Sequence, residues 1–277
     1  MAEGTVTHGA ATHGAATEPA GRALVTGGAR RIGAAIVLDL AARGFDVAVH
    51  YNASADEAAA TAAGVREAGR MAATLKADLL NEDDTAGLVG RAARALGGPL
   101  TLLVNNASIF EYDTLATATK TGWDRHIGSN LRAPFVLTQA FAAQAPKADR
   151  SGAEPVARAM VVNIIDQRVL KPTPEFMTYT IAKMGLWGFT RTAAQALAPD
   201  IRVNAIGPGP TLRGTRQSEE HFTRQRRAVI LGRGATPGEV SAALGYLIDA
   251  KSVTGQLLCV DGGQHLGWRT PDVLGVE

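Results

Sequence analysis

Tyr179 and Lys183 lie four residues apart in the stretch 176–198, which has helical patterning. That spacing puts two side chains on one helix face. An ammonium beside a phenol favours the phenolate and lowers its pKa, which would make the tyrosine a usable general acid near neutrality. The same lysine can also hold a ribose hydroxyl. Such a pair arises by chance on many helix surfaces, so its meaning depends on its neighbours. Asp166 comes 13 residues before Tyr179, just past an apolar run, and Asn130 sits in a helical segment upstream. Asn105-Asn106-Ala107-Ser108 closes another apolar run, and Gly207-Pro208-Gly209 follows a third.

A second constellation stands near the start. Ala23-Leu24-Val25 leads directly into Thr26-Gly27-Gly28-Ala29-Arg30-Arg31-Ile32-Gly33 and then into an amphipathic stretch. A strand, a glycine turn and a helix N-terminus aim backbone N–H groups and the helix dipole at a pyrophosphate. An acid about 20 residues further on would accept the 2′-hydroxyl of an adenine ribose. Here the next apolar run ends His50-Tyr51-Asn52-Ala53-Ser54, with no acid before Asp56. A 2′-phosphate meets no repulsion there, and Arg30, Asn52 and Ser54 could donate to it. Arg30 can equally be an ordinary solvated arginine. Asp78, after Leu75-Lys76-Ala77, either accepts from an adenine amino group or caps the helix that starts near Asn81.

These residues must be carried by regular elements. From Gly21 onward, short apolar runs (23–25, 47–49, 100–104, 160–164, 201–203 and 257–260) alternate with Ala-rich stretches of helical length (32–43, 54–68, 82–96 and 176–198). Strands that are apolar on both faces and separated by helices predict a parallel sheet covered on both sides, a doubly wound α/β fold. Its ligand crevice lies at the carboxyl ends of the strands, where the residues above fall. Residues 1–20 form a separate tail with a short repeat around His8 and His13. The tail has neither the charged start nor the apolar stretch of a secretory signal, and its histidines read as solvated rather than metal ligands. Residues 21–277 read as one domain.

Composition narrows the classes. The chain has 277 residues, a formal charge of +2, 46% hydrophobic and 19% charged residues. It is long enough for a substantial core, and too apolar to be disordered. Near-neutral charge argues against a broad nucleic-acid or anionic-membrane footprint. No run of 18 apolar residues exists, so no membrane span is expected. The single cysteine, Cys259, excludes an internal disulfide framework and a cysteine-rich metal site. A cytoplasmic globular protein is the expectation.

Taken in order over residues 21 to 266, the glycine turn, Asn-Asn-Ala, helical Asn, Tyr-x-x-x-Lys, Pro-Gly and the closing Val260-Asp261-Gly262-Gly263 resemble the short-chain dehydrogenase/reductase family, with its Rossmann-type fold. The resemblance implies that Tyr179 donates a proton, that Lys183 anchors the ribose, and that Asn130 holds a relaying water. Two departures are informative. Arg31 stands where the family usually has glycine, and Asp166 stands at the family's catalytic serine. An aspartate beside the substrate can bond an amino-and-ring-nitrogen edge or deliver a proton. This pair of changes is similar to the pteridine reductase branch and related dihydromonapterin reductases, as is Asn106-Ala107-Ser108-Ile109-Phe110.

In that branch the residue at Phe110 stacks a flat pterin on the nicotinamide, and those at Ser108 and Arg31 bond the pterin and the cofactor phosphates. Read from the residues alone, Phe110 is equally plain core packing. The branch's basic residue at the Ala53 position is missing. The resemblance therefore implies an NADPH-dependent dihydropterin reductase. Gly27, Arg30, Arg31, Ile32, Gly33, His50, Asn52, Ser54, Asp78, Asn106, Ala107, Ser108, Lys183, Pro208 and Gly209 would lie on the cofactor. Arg31, Ser108, Phe110, Asp166 and Tyr179 would lie on the substrate.

Two competing readings are a carbonyl reductase acting on a 3-oxoacyl thioester or small ketone, and a cofactor-sensing scaffold. Segment 211–236, with Arg213, Arg216, Arg224, Arg226, Arg227 and Arg233, is expected to be a mobile substrate lid or a solvated charged face. A homotetramer is what the family implies.

Overall fold

The apolar runs pair into a single parallel sheet because the inner strands are buried on both faces and each return crosses through a helix. The computed structural model describes residues 18–214, 217–270 and 273. The histidines of the tail repeat and Arg216 of the lid segment lie outside the described residues. In chain order the elements are β1 (Gly21–Val25), α1 (Arg31–Ala42), β2 (Phe45–Tyr51), α2 (Ala55–Glu67), β3 (Ala72–Lys76), α3 (Glu82–Ala95), β4 (Leu102–Asn105) and α4 (Lys120–Ile127). A π-helical turn, Gly128–Arg132, runs into α5 (Ala133–Gln144). Then come β5 (Ala159–Ile164), α6 (Met177–Leu197), β6 (Ile201–Pro208), α7 (Glu219–Arg227), α8 (Pro237–Asp249) and β7 (Leu257–Val260).

The sheet order is β3-β2-β1-β4-β5-β6-β7, with every pair parallel. The chain winds outward one way from β1 to β3, then jumps back to place β4 on the other side of β1. At that reversal the loops after β1 and β4 diverge to opposite faces and leave a crevice.

Alternation along the strands splits the core in two. Val25, Val47, Val49, Val104 and Val162 face α1, α2 and α8, meeting Ile36, Leu40, Val65 and Leu244. Leu24, Ala48, Leu103 and Val161 face α3, α5 and α6, meeting Leu88, Leu137, Phe141 and Ala193. Among the described residues no helix is long and apolar enough to cross a membrane.

Two buried polar devices hold the crevice end in register. Asn105 Nδ2 donates to Asn163 Oδ1 (2.8 Å), and Asn163 Nδ2 donates to Thr190 Oγ1 (2.9 Å), so one chain of bonds ties β4, β5 and α6. At the opposite end Arg202 of β6 donates to the carbonyls of Leu247, Ile248, Ala250 and Val253. Those oxygens belong to the end of α8 and the turn after it, where helix carbonyls lack intrahelical partners.

Arg202→Met keeps the length of the side chain but strands these carbonyls. We expect it to lower unfolding stability by about 3 kcal/mol. Urea unfolding measures this, and an unchanged midpoint and slope would show that water takes over the cap.

Candidate active site

The glycine turn is fastened to the loop after β4 by one hydroxyl. Thr26 Oγ1 accepts from the N–H groups of Asn106 (2.9 Å) and Ala107 (3.0 Å) and donates to the Val104 carbonyl (3.3 Å). Asn106 returns the contact, its Nδ2 donating to the carbonyls of Thr26 (2.9 Å) and Gly27 (3.1 Å). Asn106 thus braces the turn. The turn is also closely packed. A Cβ on Gly33 would lie 2.1 Å from the Gly27 carbonyl, and Gly27 itself has φ +61°.

His50 was expected among the cofactor contacts, and its ring does line the crevice. Both of its nitrogens are nevertheless committed to backbone: Nδ1 accepts from the Gly27 N–H (3.0 Å), and Nε2 faces the Ala77 carbonyl at 3.2 Å. The proton therefore sits on Nε2, and the ring is neutral. Burial pushes its pKa down to about 4, against the raising effect of the Ala77 bond. His50 is a brace under the turn.

The crevice is a cavity of about 570 Å³ at the carboxyl ends of β1, β2, β4, β5 and β6. It brings together Gly27, Arg30, Arg31, Ile32, Gly33, Asn52, Ser54, Asn106, Ala107, Ser108, Phe110, Asp166, Tyr179, Lys183, Pro208 and Gly209. Two expected residues do not line it. Asp78 lies past the end of β3, which stops at Lys76. Its carboxylate accepts from the Leu80 N–H, while Asn81 provides the cap of α3. Asn130 is fully buried in the π-helical turn, where its amide brackets Ile109, accepting from the N–H (2.9 Å) and donating to the carbonyl (2.8 Å). Its side chain holds the loop that carries Ser108 and Phe110.

At the far end of the cavity, Ser54 takes the N-cap position of α2 without bonding its hydroxyl to the helix. That leaves the hydroxyl and the first N–H groups of α2 available to an anion. Arg30 is 61% exposed and pairs loosely with Glu57 at 3.6 Å, so both expectations for it hold a part: it is solvated, and it stands over this end of the cavity.

The two expected catalytic residues Asp166 and Tyr179 form a buried pair. Tyr179 Oη donates to Asp166 Oδ2 (3.0 Å), and Asp166 Oδ1 accepts from the Arg168 N–H (2.9 Å). Burial raises the Asp166 carboxyl above its ordinary range, outweighing the backbone bond and the charges of Arg168 and Lys183. Burial, and then the charge and hydrogen bond of Asp166, push the Tyr179 phenol well above its ordinary range, against Arg168 and the Ser108 hydroxyl. The expected effect of Lys183, bringing the phenol toward neutrality, is overturned. Its ammonium lies 5.6 Å from the phenol ring centroid and donates to the Ile164 carbonyl (2.9 Å). Burial lowers its own pKa to about 8. The arrangement keeps the phenol proton on Tyr179 and makes the Asp166 carboxyl a weaker acid than an exposed one.

Phe110 is not core packing. It is 47% exposed, stacks on Phe176 (centroids 4.2 Å apart, planes 6° apart) and meets Tyr179 edge-on at 4.7 Å. Phe176 takes the N-cap position of α6 with φ +54°, a left-handed conformation that a bulky side chain rarely adopts. Asp113 holds it there. The Asp113 carbonyl accepts from the Phe176 N–H (2.8 Å), and its carboxylate accepts from the Thr178 N–H (3.2 Å) and hydroxyl. The Thr178 hydroxyl in turn lies 2.6 Å from His126 Nδ1, and His126 Nε2 accepts from the Glu111 N–H (3.1 Å).

Asp113, His126 and Thr178 thus clamp the loop after β4 to the start of α6 and set Phe110, Phe176 and Tyr179 in one cluster. Sequence reasoning missed all of them except Phe110 and Tyr179. Phe176 was detectable as an aromatic one helical turn before Tyr179; the clamp had no local signal.

Arg31 opens α1 at φ +58°, and its guanidinium donates to the carbonyls of Arg213 (3.0 Å) and Leu212 (3.2 Å). It reaches the start of the expected lid and lines the cavity at once. That lid segment carries α7, which has no buried residue. Arg226 is no solvated charge: it donates to the carbonyls of Pro210 (2.6 Å) and Ala235 (2.6 Å), closing the base of the segment. Arg213 and Arg233 pair with Glu219 and Glu239.

The short chain dehydrogenase family matches residues 22–224. Among solved structures, FolM alternative dihydrofolate reductase 1 from Brucella suis in complex with NADP is 47% identical, with a TM-score of 0.84 over 93% of this chain and 99% of that one. A short-chain dehydrogenase from Burkholderia cenocepacia in complex with NADP is 32% identical, with a TM-score of 0.80 over 89% and 98%. The 3-oxoacyl-[acyl-carrier-protein] reductase FabG of Staphylococcus epidermidis is 30% identical over 88% of this chain and 98% of its own length.

The His50 brace makes stability pH-dependent with a defined sign. The unfolded chain takes up a proton as pH falls through 6.5, but the folded chain does so only near 4. Between those values the unfolded state binds more protons, so acid removes about 3 kcal/mol of stability. Unfolding followed from pH 7 to 4 should show this limb flattened in His50→Asn; an identical limb would disprove the assignment.

Proposed function

The chain belongs to the short-chain dehydrogenase family, and from that membership we propose that it is an NADPH-dependent reductase of the C=N bond in a dihydropterin. The residues present suit the cofactor. Gly33 has no room for a Cβ and Gly27 takes a left-handed φ, so the glycine turn stays tight where a pyrophosphate would approach the helix N-terminus. No acid lines the cavity at the end of β2, where Asn52, the uncapped Ser54 and Arg30 offer donors to a 2′-phosphate. NADP is named with the Brucella suis and Burkholderia cenocepacia neighbours, which agrees with this chemistry. When bound, the cofactor supplies the hydride.

The chain's own residues do the rest. Lys183, at the floor between β5 and α6, carries the charge that would hold a ribose hydroxyl. Phe110 offers a flat apolar surface to a planar ring. Ser108 and the Asp166–Tyr179 pair present hydrogen-bonding groups along one edge. Reduction of C=N to CH–NH needs one hydride at carbon and one proton at nitrogen. Asp166 is the acid that delivers this proton, and Tyr179, donating to its Oδ2, keeps the carboxyl oriented.

The observation that carries the reading is this buried carboxyl, raised above its ordinary range and hydrogen-bonded to the phenol. A carbonyl reductase requires only a hydroxyl donor there, whereas a basic ring nitrogen matches a carboxylic acid. The FabG relative supports the second reading, reduction of a 3-oxoacyl thioester.

NADPH oxidation with dihydromonapterin, dihydrobiopterin and an acetoacetyl thioester separates the two. Turnover of the pterins alone is expected, and turnover of the thioester alone would discard the pterin reading. Tyr179→Phe should reduce kcat by about 100-fold or more. Asp166→Ser should impair pterin reduction at least as strongly without impairing a ketone; a pterin rate indifferent to it removes Asp166 from the chemistry. Both Asp166 and Lys183 lose their protons as pH rises, Lys183 near 8. Therefore kcat/KM should fall above about pH 8 rather than rise, as a stopped assay across pH 6 to 10 would record.

A further inference from the structure

The clamp beside Tyr179 has a direction as well as a shape. Asp113, His126 and Thr178 are all buried, so their polar atoms need partners of the opposite sense. His126 Nε2 accepts from the Glu111 N–H (3.1 Å), which places the ring proton on Nδ1. Nδ1 therefore donates to Thr178 Oγ1 (2.6 Å), and the Thr178 hydroxyl gives its own proton to the Asp113 carboxylate. From amide to imidazole to hydroxyl to carboxylate, every proton points the same way. The chain of bonds is complete only with His126 neutral and Asp113 ionised. A proton added at Nε2 would face the Glu111 N–H donor to donor and break the first link.

Both ends of this chain adjoin the site. Glu111 follows Phe110 and Thr178 precedes Tyr179, and those two rings meet edge-on at 4.7 Å. The imidazole itself lies against the Tyr179 ring, centroids 6.1 Å apart, without lining the cavity. Arg125 also reaches Glu111, but both side chains are exposed and water screens that pair. The groups that act on His126 are Asp113 and Glu111 from the loop after β4, Arg125 from its own helix α4, and the Tyr179 ring from α6. Arg132 of the π-helical turn is engaged with Glu82. Burial outweighs the two carboxylates and holds the imidazole pKa below its ordinary value.

We propose that His126 is a positioning residue which, in its neutral form alone, sets the Tyr179 phenol against Phe110 by holding the residue beside each. The inference rests on Tyr179 belonging to the reacting site, whichever substrate is reduced. Protonation of His126 releases the Glu111 N–H, frees Phe110 from its place at the phenol and slows the reaction. Activity therefore falls as pH drops through the pKa of His126. Asp166 does not account for a loss of that sign, because an acid donor gains its proton in the same direction.

The test measures kcat at saturating NADPH from about pH 8 to about pH 5, the range in which histidines titrate. The second substrate is dihydromonapterin, dihydrobiopterin or the acetoacetyl thioester, whichever the wild type reduces. His126→Leu fills the space without polar atoms. His126→Gln offers an amide oxygen to the Glu111 N–H and does not ionise. At neutral pH the leucine variant should lose about tenfold to 100-fold in kcat, with NADPH affinity kept within about twofold. The glutamine variant should stay within about fivefold of wild type and lack the acid limb. Circular dichroism at each pH checks the fold.

A folded His126→Leu with wild-type kcat and only a lowered unfolding midpoint reduces His126 to a structural residue. An acid limb that persists in His126→Gln, or is missing from the wild type, overturns the inference too. That comparison decides the matter even where the leucine variant does not fold, and its failure leaves the reductase reading standing. Wild-type protein that reduces none of the three substrates brings down the proposed function itself, and this inference with it.

Discussion

The hydroxyl of Thr26 sits where the sheet reverses direction, and the geometry of the cavity depends on it. β1 and β4 are neighbours in the sheet, but their following loops separate to opposite faces. Left to themselves, two diverging loops would expose unpaired N–H groups and drift. Thr26 bonds to the backbone of Val104, Asn106 and Ala107, and Asn106 bonds back to the glycine turn. His50 supports the same turn from β2. The floor of the crevice is thereby a rigid lattice spanning three strands, with its backbone donors oriented before any anion arrives. Preorganisation of this kind reduces the cost of ordering a site on binding.

A second constraint acts at the roof. α6 carries both Tyr179 and Lys183, yet its own N-cap residue, Phe176, has no capping side chain. The cap comes from Asp113, 65 residues earlier than the Thr178 N–H it accepts. This makes the loop after β4 and the start of α6 one unit, braced by His126 on one side and by Asn130 on the other. Among the described residues two non-glycine residues lie in the left-handed region, Arg31 in the cavity lining and Phe176 beside Phe110. Each aims a long side chain at a neighbouring segment: Arg31 at the start of the lid segment, and Phe176 at the ring of Phe110. Strain of this kind costs on the order of 1–3 kcal/mol per residue, so the clamps around it have a mechanical purpose.

The electrostatics at the centre differ from a simple phenol–ammonium pair. Lys183 is held by the Ile164 carbonyl and is itself depressed by burial, so it does not compensate for the cost of ionising Tyr179. The carboxyl of Asp166 faces the same low-dielectric surroundings and keeps its proton more readily than an exposed acid. With serine at that place the site would hold one proton donor, the phenol. With aspartate it holds a second, stronger acid aligned by the first.

Much of this protein was legible in its residues because periodicity and punctuation are local properties. The apolar runs alternating with helical stretches determined a doubly wound parallel sheet. The glycine turn after the first run, the missing acid after the second, and Asp166 with the Tyr179–Lys183 pair marked the crevice and its chemistry. What sequence alone did not show were supporting roles decided by long-range contact. Asn130 and His50 carry the residue types of ligand contacts, but tertiary packing spends their polar atoms on the backbone of Ile109, Gly27 and Ala77. Asp78, read as an adenine contact or a cap, bonds the Leu80 N–H in the turn that leads to α3. The Asp113 clamp and the left-handed turn at Phe176 had no signature in spacing. A hydrogen bond between distant segments exists only once the chain has folded. The sequence alone thus determined the sheet and the residue types brought to its crevice, while the tertiary structure decided which polar side chains became braces and which stayed available.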